Sequence, residues 1–202
     1  MTSSPSTCKT AVTSVPIHPL LVERWSPRGF DRQYELDDDA LCALLEAARW
    51  APSASNTQPW RFLPTRRNDV SFARLLDLLA PGNFSWASAA SALILVAAQT
   101  TDEAGRQRAW ALYDTGQAVA DLTVQAQADG LSVHQMGGFD ANAARREFDL
   151  GPDLAPVVVV AVGRYDGDAR LPEPLAAREH APRSRKPLES LLLIDLGLAH
   201  QR

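Results

Sequence analysis

Two apolar runs of strand length constrain the fold most strongly. The first run, Ala92 to Ala98, has the sequence ALILVAA, and the second is the valine-rich run Val157 to Val162. Neither run alternates apolar with polar residues, so neither strand can leave one face in water. We therefore expect a central β-sheet that is covered by helices on both faces.

Four stretches carry apolar side chains at helical spacing and can supply that cover. The first begins with aspartates at positions 37–39, which suit the N-terminal end of a helix dipole. Gly130 is the expected C-terminal residue of the third. The four predicted helices are a first from near Leu36 to before Pro52, a second that carries Phe72 to Leu79 and stops at Pro81, a third from about Asp114 to Asp129 and a fourth from Asp140 to near Leu150. A short strand is predicted over Leu131 to Gln135.

Composition and charge are typical of one globular domain. The chain has 202 residues, of which 46% are hydrophobic and 22% are charged, and its net charge is −4. This composition excludes a disordered or fibrous chain, and the acidic balance gives no field for binding nucleic acid or an anionic membrane. We expect a flexible tail over residues 1–16, which are rich in Ser, Thr and Pro, and a single domain over residues 17–202.

The cysteines and the N-terminal sequence bear on the compartment. Cys8 and Cys42 form neither a C-x-x-C pair nor a metal quartet, which favours a reducing environment. The N-terminus lacks the apolar centre of a signal peptide, and no apolar run reaches the length of a membrane helix. The expected location is cytoplasmic, with no membrane partner.

Several common catalytic motifs are absent from the sequence. It contains no G-x-G-x-x-G after a strand, no phosphate loop of the G-x-x-x-x-G-K-[ST] type and no G-x-S-x-G elbow. The four histidines, at positions 18, 134, 180 and 200, have no ligand spacing. A serine hydrolase or a metal hydrolase is therefore unsupported, and no metal site is predicted.

Three short segments carry candidate binding chemistry. Arg24, Ser26 and Arg28 alternate along a segment that could present two guanidiniums and a hydroxyl to a phosphate. A stretch rich in hydroxyl and amide groups occupies 53–58, and a basic run occupies 183–186. Each has a plain alternative when taken alone: a solvated basic turn, an ordinary turn after a helix, or an exposed basic run.

Six sequence blocks in a fixed order carry a family resemblance. The blocks are RWSPRGF at 24–30, APS at 51–53, N-x-QPW at 56–60, DTG at 114–116, MGGFD at 136–140 and R-x-R at 183–185. In this order they resemble the FMN-dependent nitroreductase family. The Ala-Pro-Ser loop that ends in Asn-x-Gln-Pro-Trp is the more specific part, and the resemblance spans about residues 20–190.

The resemblance implies an α/β (α+β) fold in which helices wrap a mixed central sheet, as an intertwined homodimer. Two FMN molecules would lie at the subunit interface, and the loop 53–58 of one subunit would approach the flavin from the other subunit. The tail after the last strand would be swapped across the partner. This agrees with a tail from Gly167 that is rich in Pro and Arg and has little apolar sequence of its own.

The resemblance also assigns roles to individual residues. Arg24 and Ser26 would hold the FMN phosphate or ribityl chain, and Arg183 and Arg185 would complete the phosphate site. Arg28, which would stabilise negative charge at the flavin pyrimidine edge, and Gly138, whose backbone would lie at the N5 edge, are the predicted catalytic residues. The other predicted cofactor-binding residues are Trp25, Pro52, Ser53, Ala54, Ser55, Asn56, Gln58, Asn83, Met136 and Gly137.

Three features depart from the family pattern. Trp86 stands where a basic residue often follows the flavin-contacting asparagine, and Gly137 stands where some nitroreductases carry a glutamate. The segment 99–113 is shorter than in many relatives, which predicts a more open pocket or one covered by other residues. Within it, Arg106 or Arg108 would either meet the phosphate of a nicotinamide cofactor or lie on a solvated charged helix.

The implied function is a reductase that passes hydride from NAD(P)H through bound FMN to a small-molecule acceptor in a ping-pong cycle. Acceptors in the family include nitroaromatics, quinones, flavins and enones. Two alternatives remain: a specialised FMN oxidase or dehalogenase of the same fold, and a flavin-binding protein without turnover. The sequence selects neither NADH nor NADPH, and it does not specify the acceptor.

Overall fold

The fold combines seven helices with four strands in the part of the chain, residues 9–194, that a computed structural model describes. Short 3-10 turns occur at Ala54–Asn56 and Leu188–Leu191. No helix of the described range is long and apolar enough to cross a membrane. The helices are α1 Pro19–Glu23, α2 Asp38–Arg49, α3 Val70–Leu76, α4 Pro81–Ala87, α5 Ala111–Ala128, α6 Ala141–Glu147 and α7 Leu175–His180, and the strands are β1 Trp60–Arg66, β2 Ala92–Gln99, β3 Ser132–Met136 and β4 Leu154–Gly163.

The strands form one sheet in the order β1-β2-β4-β3. All three pairings are antiparallel, with Leu95 opposite Val159 and Val159 opposite Met136. The prediction of a mixed sheet is therefore wrong for the described strands. Arg66, the last residue of β1, lies opposite Ala92, the first residue of β2. The α3–α4 excursion thus returns the chain to the end of the sheet that it left, which makes this pair antiparallel.

Both faces of the sheet are covered, as the two apolar runs predicted. Ile94 and Val96 of β2 pack with the apolar faces of α2 and α5, whereas Leu93 and Leu95 pack with α3, α4 and α6 on the other side. These four side chains are at most 1% exposed. The alternation of side chains along one strand therefore supplies two separate cores.

Local signals at the helix ends agree with the sequence. The Asp37 carboxylate accepts a hydrogen bond from the Ala40 N–H at the start of α2, and the Asp140 carboxylate does the same for Ala143 at the start of α6. Gly130 follows the end of α5 with φ at +71°, a conformation that glycine adopts without strain. These helices were predicted within a few residues of their observed bounds.

Helix α4 and strand β1 are among the elements that were missed in the sequence. Pro81 was interpreted as a helix stop, and it instead begins α4, because the fixed φ of proline suits the first helical position and its missing N–H costs nothing there. Strand β1 has no clear alternation of apolar and polar residues. It tolerates Pro64 because it lies at an edge of the sheet.

The described N-terminal residues contact the body of the chain. Lys9 is 5% exposed, and its Nζ donates to the Ala181 carbonyl at 2.6 Å. The Ala11 N–H donates to the Val22 carbonyl at 3.0 Å. Both residues belong to the segment 1–16 that was predicted to be flexible, of which residues 1–8 lie outside the described range, as do residues 195–202.

Gly163 ends β4 at a position with no space for a side chain. An added Cβ would lie 2.8 Å from Phe30 Cδ1 and 3.3 Å from the Ser91 backbone nitrogen. We expect Gly163→Ala to lower the free energy of unfolding by about 1–3 kcal/mol, the usual cost of overpacking, as measured by urea denaturation. The matched control, Gly116→Ala on α5, meets nothing within 4 Å and should raise stability by up to about 1 kcal/mol. Parent-like stability of Gly163→Ala would contradict this packing.

Candidate functional site

Three arginines from the two ends of the chain meet in one cluster. Arg24 follows α1, and Arg183 and Arg185 follow α7. Burial and the charge of Arg185 lower the pKa of Arg24, and burial with the charges of Arg24 and Arg185 lowers the pKa of Arg183. An anion bound among these guanidiniums would relieve their mutual repulsion. The structure thus brings together the arginines that the sequence predicted for a phosphate.

Backbone carbonyls fix the position of Arg183 in this cluster. Its Nη1 donates to the Lys9 carbonyl at 2.9 Å and to the Val22 carbonyl at 2.8 Å. Lys9 in turn donates from Nζ to the carbonyls of Arg178 and Ala181. Hydrogen bonds in both directions therefore join the tail to the N-terminal segment.

Arg28 is held by a buried acid. Its backbone N–H donates to Glu179 Oε1 at 2.8 Å, and its Nη1 lies 3.6 Å from Glu179 Oε2. The Glu179 side chain is 3% exposed, whereas the Arg28 side chain is 23% exposed. Arg28 lines a cleft of about 990 Å³, together with Trp86, Arg164 and Tyr165 among others. The guanidinium is therefore anchored on one side and open to a ligand on the other.

The residues between the two arginines differ in their surroundings. Ser26 is exposed and accessible to a ligand. The Trp25 ring packs edge-on against Tyr165, with ring centroids 5.3 Å apart, and the Lys9 Nζ lies 4.6 Å from the Trp25 ring centroid. The Trp25 ring, predicted to bind the cofactor, is therefore engaged with the protein itself.

Gly138 and Asn83 are direct neighbours. Asn83 Nδ2 donates to the Gly138 carbonyl at 3.0 Å, and a Cβ on Gly138 would lie 3.0 Å from that same nitrogen. Met136, the last residue of β3, is 2% exposed and anchors the segment in the core. Gly137 and Gly138 are exposed. The structure thus brings together two of the predicted residues, Asn83 and Gly138, from two distant segments.

The loop 53–58 adopts an unusual backbone conformation. Ser55, Asn56 and Gln58 have φ values of 51°, 55° and 45°, in the left-handed region that side chains disfavour. The Gln58 N–H donates to Ser53 Oγ at 3.0 Å, and its Nε2 donates to Asn56 Oδ1 at 3.1 Å. Ala54 donates its N–H to the Asp114 carboxylate at 3.0 Å. The loop follows Pro52, and these bonds hold its exposed polar groups in one arrangement.

The predicted site residues of one chain lie at opposite edges of the sheet. The loop 53–58 precedes β1, and the glycine pair 137–138 follows β3. These are the two outer strands of the described sheet, separated by β2 and β4. Three strand spacings of about 4.8 Å place the edges roughly 14 Å apart. One chain therefore does not bring the loop onto its own glycine pair.

Comparison with known proteins shows the family. The profile described as the Nitroreductase family matches residues 21–83 and 73–164. The chain belongs to the nitroreductase family. A solved structure described as an oxidoreductase containing FMN has a TM-score of 0.85 to this chain at 34% sequence identity, with 96% of each chain covered.

Two curated relatives are similar to this chain. An uncharacterized 15.4 kDa protein of Mycolicibacterium smegmatis is 40% identical over 123 residues, which are 61% of this chain and 82% of that protein. A Streptomyces coelicolor protein with the provisional name NADH dehydrogenase/NAD(P)H nitroreductase is 28% identical over 167 residues, covering 72% of this chain and 82% of its own. The sequence-based recognition of a nitroreductase-type oxidoreductase, and of its α+β fold, is confirmed.

Sequence reasoning missed the acids that hold this nitroreductase site. Glu179 gave no local signal, because its partners Arg28 and Gly29 lie about 150 residues earlier. Asp114 belongs to one of the matched blocks, but no role was assigned to it. Both carboxylates are 3% exposed, and a buried acid that faces a binding segment is the signal that only the fold reveals.

The short segment 99–113 contacts the loop through Arg108. Arg108 Nη1 donates to Gln99 Oε1 at 3.1 Å and to the Thr57 carbonyl at 3.4 Å. Arg106 forms an ion pair with Asp102 at 2.7 Å. Both arginines that were considered for a nicotinamide phosphate therefore have protein partners. Within residues 9–194, no group of three or more His, Cys, Asp or Glu side chains could hold a metal ion.

His134 lies behind the Arg28 segment in a largely buried position. Its ring centroid is 4.6 Å from that of Trp86, and its Nδ1 lies 2.9 Å from the Pro27 carbonyl oxygen. Burial lowers the pKa of His134 below its ordinary value of 6.5, against an opposing effect of the Pro27 carbonyl. The neutral imidazole can donate its Nδ1–H to that carbonyl.

Protonation of His134 should destabilise the fold on the acid side. Because its folded pKa lies below the unfolded value of 6.5, the unfolded chain binds more protons, and stability falls as the pH drops below about 6.5. We expect His134→Gln to remove this component, so that its stability difference from the parent shrinks between pH 7.5 and pH 5.5. Urea unfolding at both pH values measures it, and a pH-independent difference would refute the assignment.

Proposed function

We propose that this nitroreductase-family chain is an FMN-dependent reductase that transfers hydride from NAD(P)H to a small-molecule acceptor such as a nitroaromatic, a quinone or a flavin. The observation that carries the proposal is the cluster of Arg24, Arg183 and Arg185, whose mutual repulsion favours a phosphate between them. The similar solved oxidoreductase contains FMN, which supports the same cofactor here. The predicted cytoplasmic location stays a prediction.

The proposed active unit is a homodimer. The loop 53–58 and the glycine pair 137–138 lie at opposite edges of the sheet, so each flavin site would combine the loop of one protomer with the arginines and glycines of the other. The described tail ends in apolar side chains that the chain itself does not bury: Leu191, Leu193 and Ile194 are 61%, 102% and 69% exposed. A partner subunit would cover them, as the proposed swapped tail requires.

The residues of the chain would bind and tune the cofactor. When bound, FMN supplies the hydride-accepting and hydride-donating chemistry, so no side-chain nucleophile is needed. Arg28 would place positive charge where the flavin ring becomes negative on reduction. Asn83 donates to the Gly138 carbonyl and so holds the peptide that follows Gly138, which would steady the segment whose backbone lies at the N5 edge.

The substrates would use this site in turn. Segment 99–113 is short, and its Arg106 and Arg108 are paired with neighbours of the chain, so it adds little cover over the site. An open flavin face would admit NAD(P)H first and the acceptor after the oxidised nicotinamide leaves. This order is a ping-pong cycle.

An anaerobic visible spectrum tests the proposed activity. We expect the purified protein with FMN to lose its flavin absorbance within seconds of adding one equivalent of NADPH or NADH, because bound FMN accepts the hydride. Free FMN with the same reductant is the control for the uncatalysed rate. A protein that binds FMN and keeps its absorbance would contradict a nicotinamide-driven reductase and favour the oxidase, dehalogenase or storage alternatives.

The phosphate assignment is tested with Arg183→Ala combined with Arg185→Ala. Because each charged hydrogen bond is worth about 1.5–3 kcal/mol, we expect the Kd for FMN to rise by about 100-fold or more. Fluorescence titration measures the Kd, and FMN occupancy after gel filtration gives a second readout. Lys186→Ala, an exposed change in the same basic run, should leave the Kd near that of the parent. Full FMN retention by the double variant would remove both arginines from the site.

A further inference from the structure

Glu179 is a buried acid whose hydrogen bonds in the described part of the chain all come from one short segment. Its Oε1 accepts the N–H of Arg28 at 2.8 Å and the N–H of Gly29 at 3.0 Å. Its Oε2 has no hydrogen bond among the described residues, and Arg28 Nη1 lies 3.6 Å away. A carboxylate that is 3% exposed is costly to keep charged unless bonds and an opposite charge compensate it. Both kinds of compensation come from the Arg28 segment.

The two oxygens of this carboxylate have separate tasks. Oε1 fixes the backbone course at Arg28 and Gly29, where space is limited: a Cβ on Gly29 would lie 2.5 Å from the Asp166 carbonyl oxygen. Oε2 faces the guanidinium and offsets part of its positive charge. Loss of the charge alone should therefore change the charge near Arg28, whereas loss of the whole side chain should also disturb the backbone at Arg28 and Gly29.

Glu179 also connects Arg28 to the arginine cluster. It lies on α7, and the chain that leaves α7 carries Arg183 and Arg185. Lys9 fixes the end of α7 through the carbonyls of Arg178 and Ala181. Glu179 thus links the segment that carries Arg28 to the helix that precedes the tail arginines.

We propose that Glu179 is a positioning residue that joins Arg28 to the tail arginines and sets the charge that the flavin experiences. The inference rests on the proposed function, because it needs FMN at Arg28. A negative charge behind Arg28 weakens the stabilisation of reduced, negatively charged flavin. Glu179 therefore lowers the reduction potential of the bound cofactor and makes its reduced form a stronger donor to acceptors.

The test compares the midpoint potential of bound FMN in the parent and two variants. Glu179→Gln keeps an oxygen that accepts the two backbone N–H groups but loses the charge. We expect the equilibrium constant for two-electron reduction to rise by about tenfold or more, which is about 30 mV, with a Kd for FMN within about threefold of the parent. Glu179→Ala also loses both hydrogen bonds, and we expect its Kd for FMN to rise by about tenfold or more.

Glu147→Gln is the matched control. This variant removes the same charge, and Glu147 is also paired with an arginine, Arg74. That pair lies on the exposed surface and joins α3 to the end of α6. The midpoint potential of FMN bound to Glu147→Gln should equal that of the parent. If Glu179→Gln does not fold, Glu179→Ala gives the potential instead, because it removes the same charge and should also raise the midpoint potential of bound FMN.

The outcomes separate this inference from the proposed function. A raised potential in Glu179→Gln with near-parent affinity supports the positioning role, because a merely structural residue would change stability or affinity without moving the potential in this direction. Bound FMN with a parent-like potential in Glu179→Gln, or in Glu179→Ala where that variant replaces it, overturns this inference alone. A parent protein that binds no FMN overturns the proposed function, and this inference with it.

Discussion

The pairing of β2 with β4 is the constraint on which the rest of the structure depends. Both strands are apolar on both faces, so helices must cover the sheet on each side, and α2 and α5 oppose α3, α4 and α6. With both faces covered, the loop 53–58 emerges beside the outer strand β1 and the glycine pair 137–138 emerges beside the outer strand β3. The separation of the loop from the glycine pair thus underlies both the proposed dimer and the proposed flavin site.

The second constraint is the return of the tail to the N-terminal segment. Three arginines that repel one another stay close because other bonds hold them: the Arg183 side chain donates to the Lys9 and Val22 carbonyls, and Glu179 accepts the backbone N–H of Arg28. The repulsion then favours an anion at this position before any ligand arrives. Because the arginines are already held in place, FMN binding would cost little conformational entropy.

Local sequence signals predicted the elements that local physics determines. The apolar runs of β2 and β4, the aspartate caps of α2 and α6 and the glycine after α5 are legible within a few residues. Strand β1 was missed because an edge strand with Pro64 needs no strict alternation. Arg24 and Arg183 were predicted through a family resemblance, whereas Glu179 was not, since no spacing rule relates an acid to partners about 150 residues away.

Two buried carboxylates hold the two halves of the proposed site, and they differ in how their charge is stabilised. Asp114 accepts the Ala54 N–H from the first turn of α5, where the helix dipole favours an anion. It can therefore keep the left-handed loop in shape without using a cation. Glu179 lies near the end of the short helix α7, where the dipole disfavours an anion, and it depends on Arg28. The loop half of the site is thus set by shape, whereas the arginine half is set by a balance of charge.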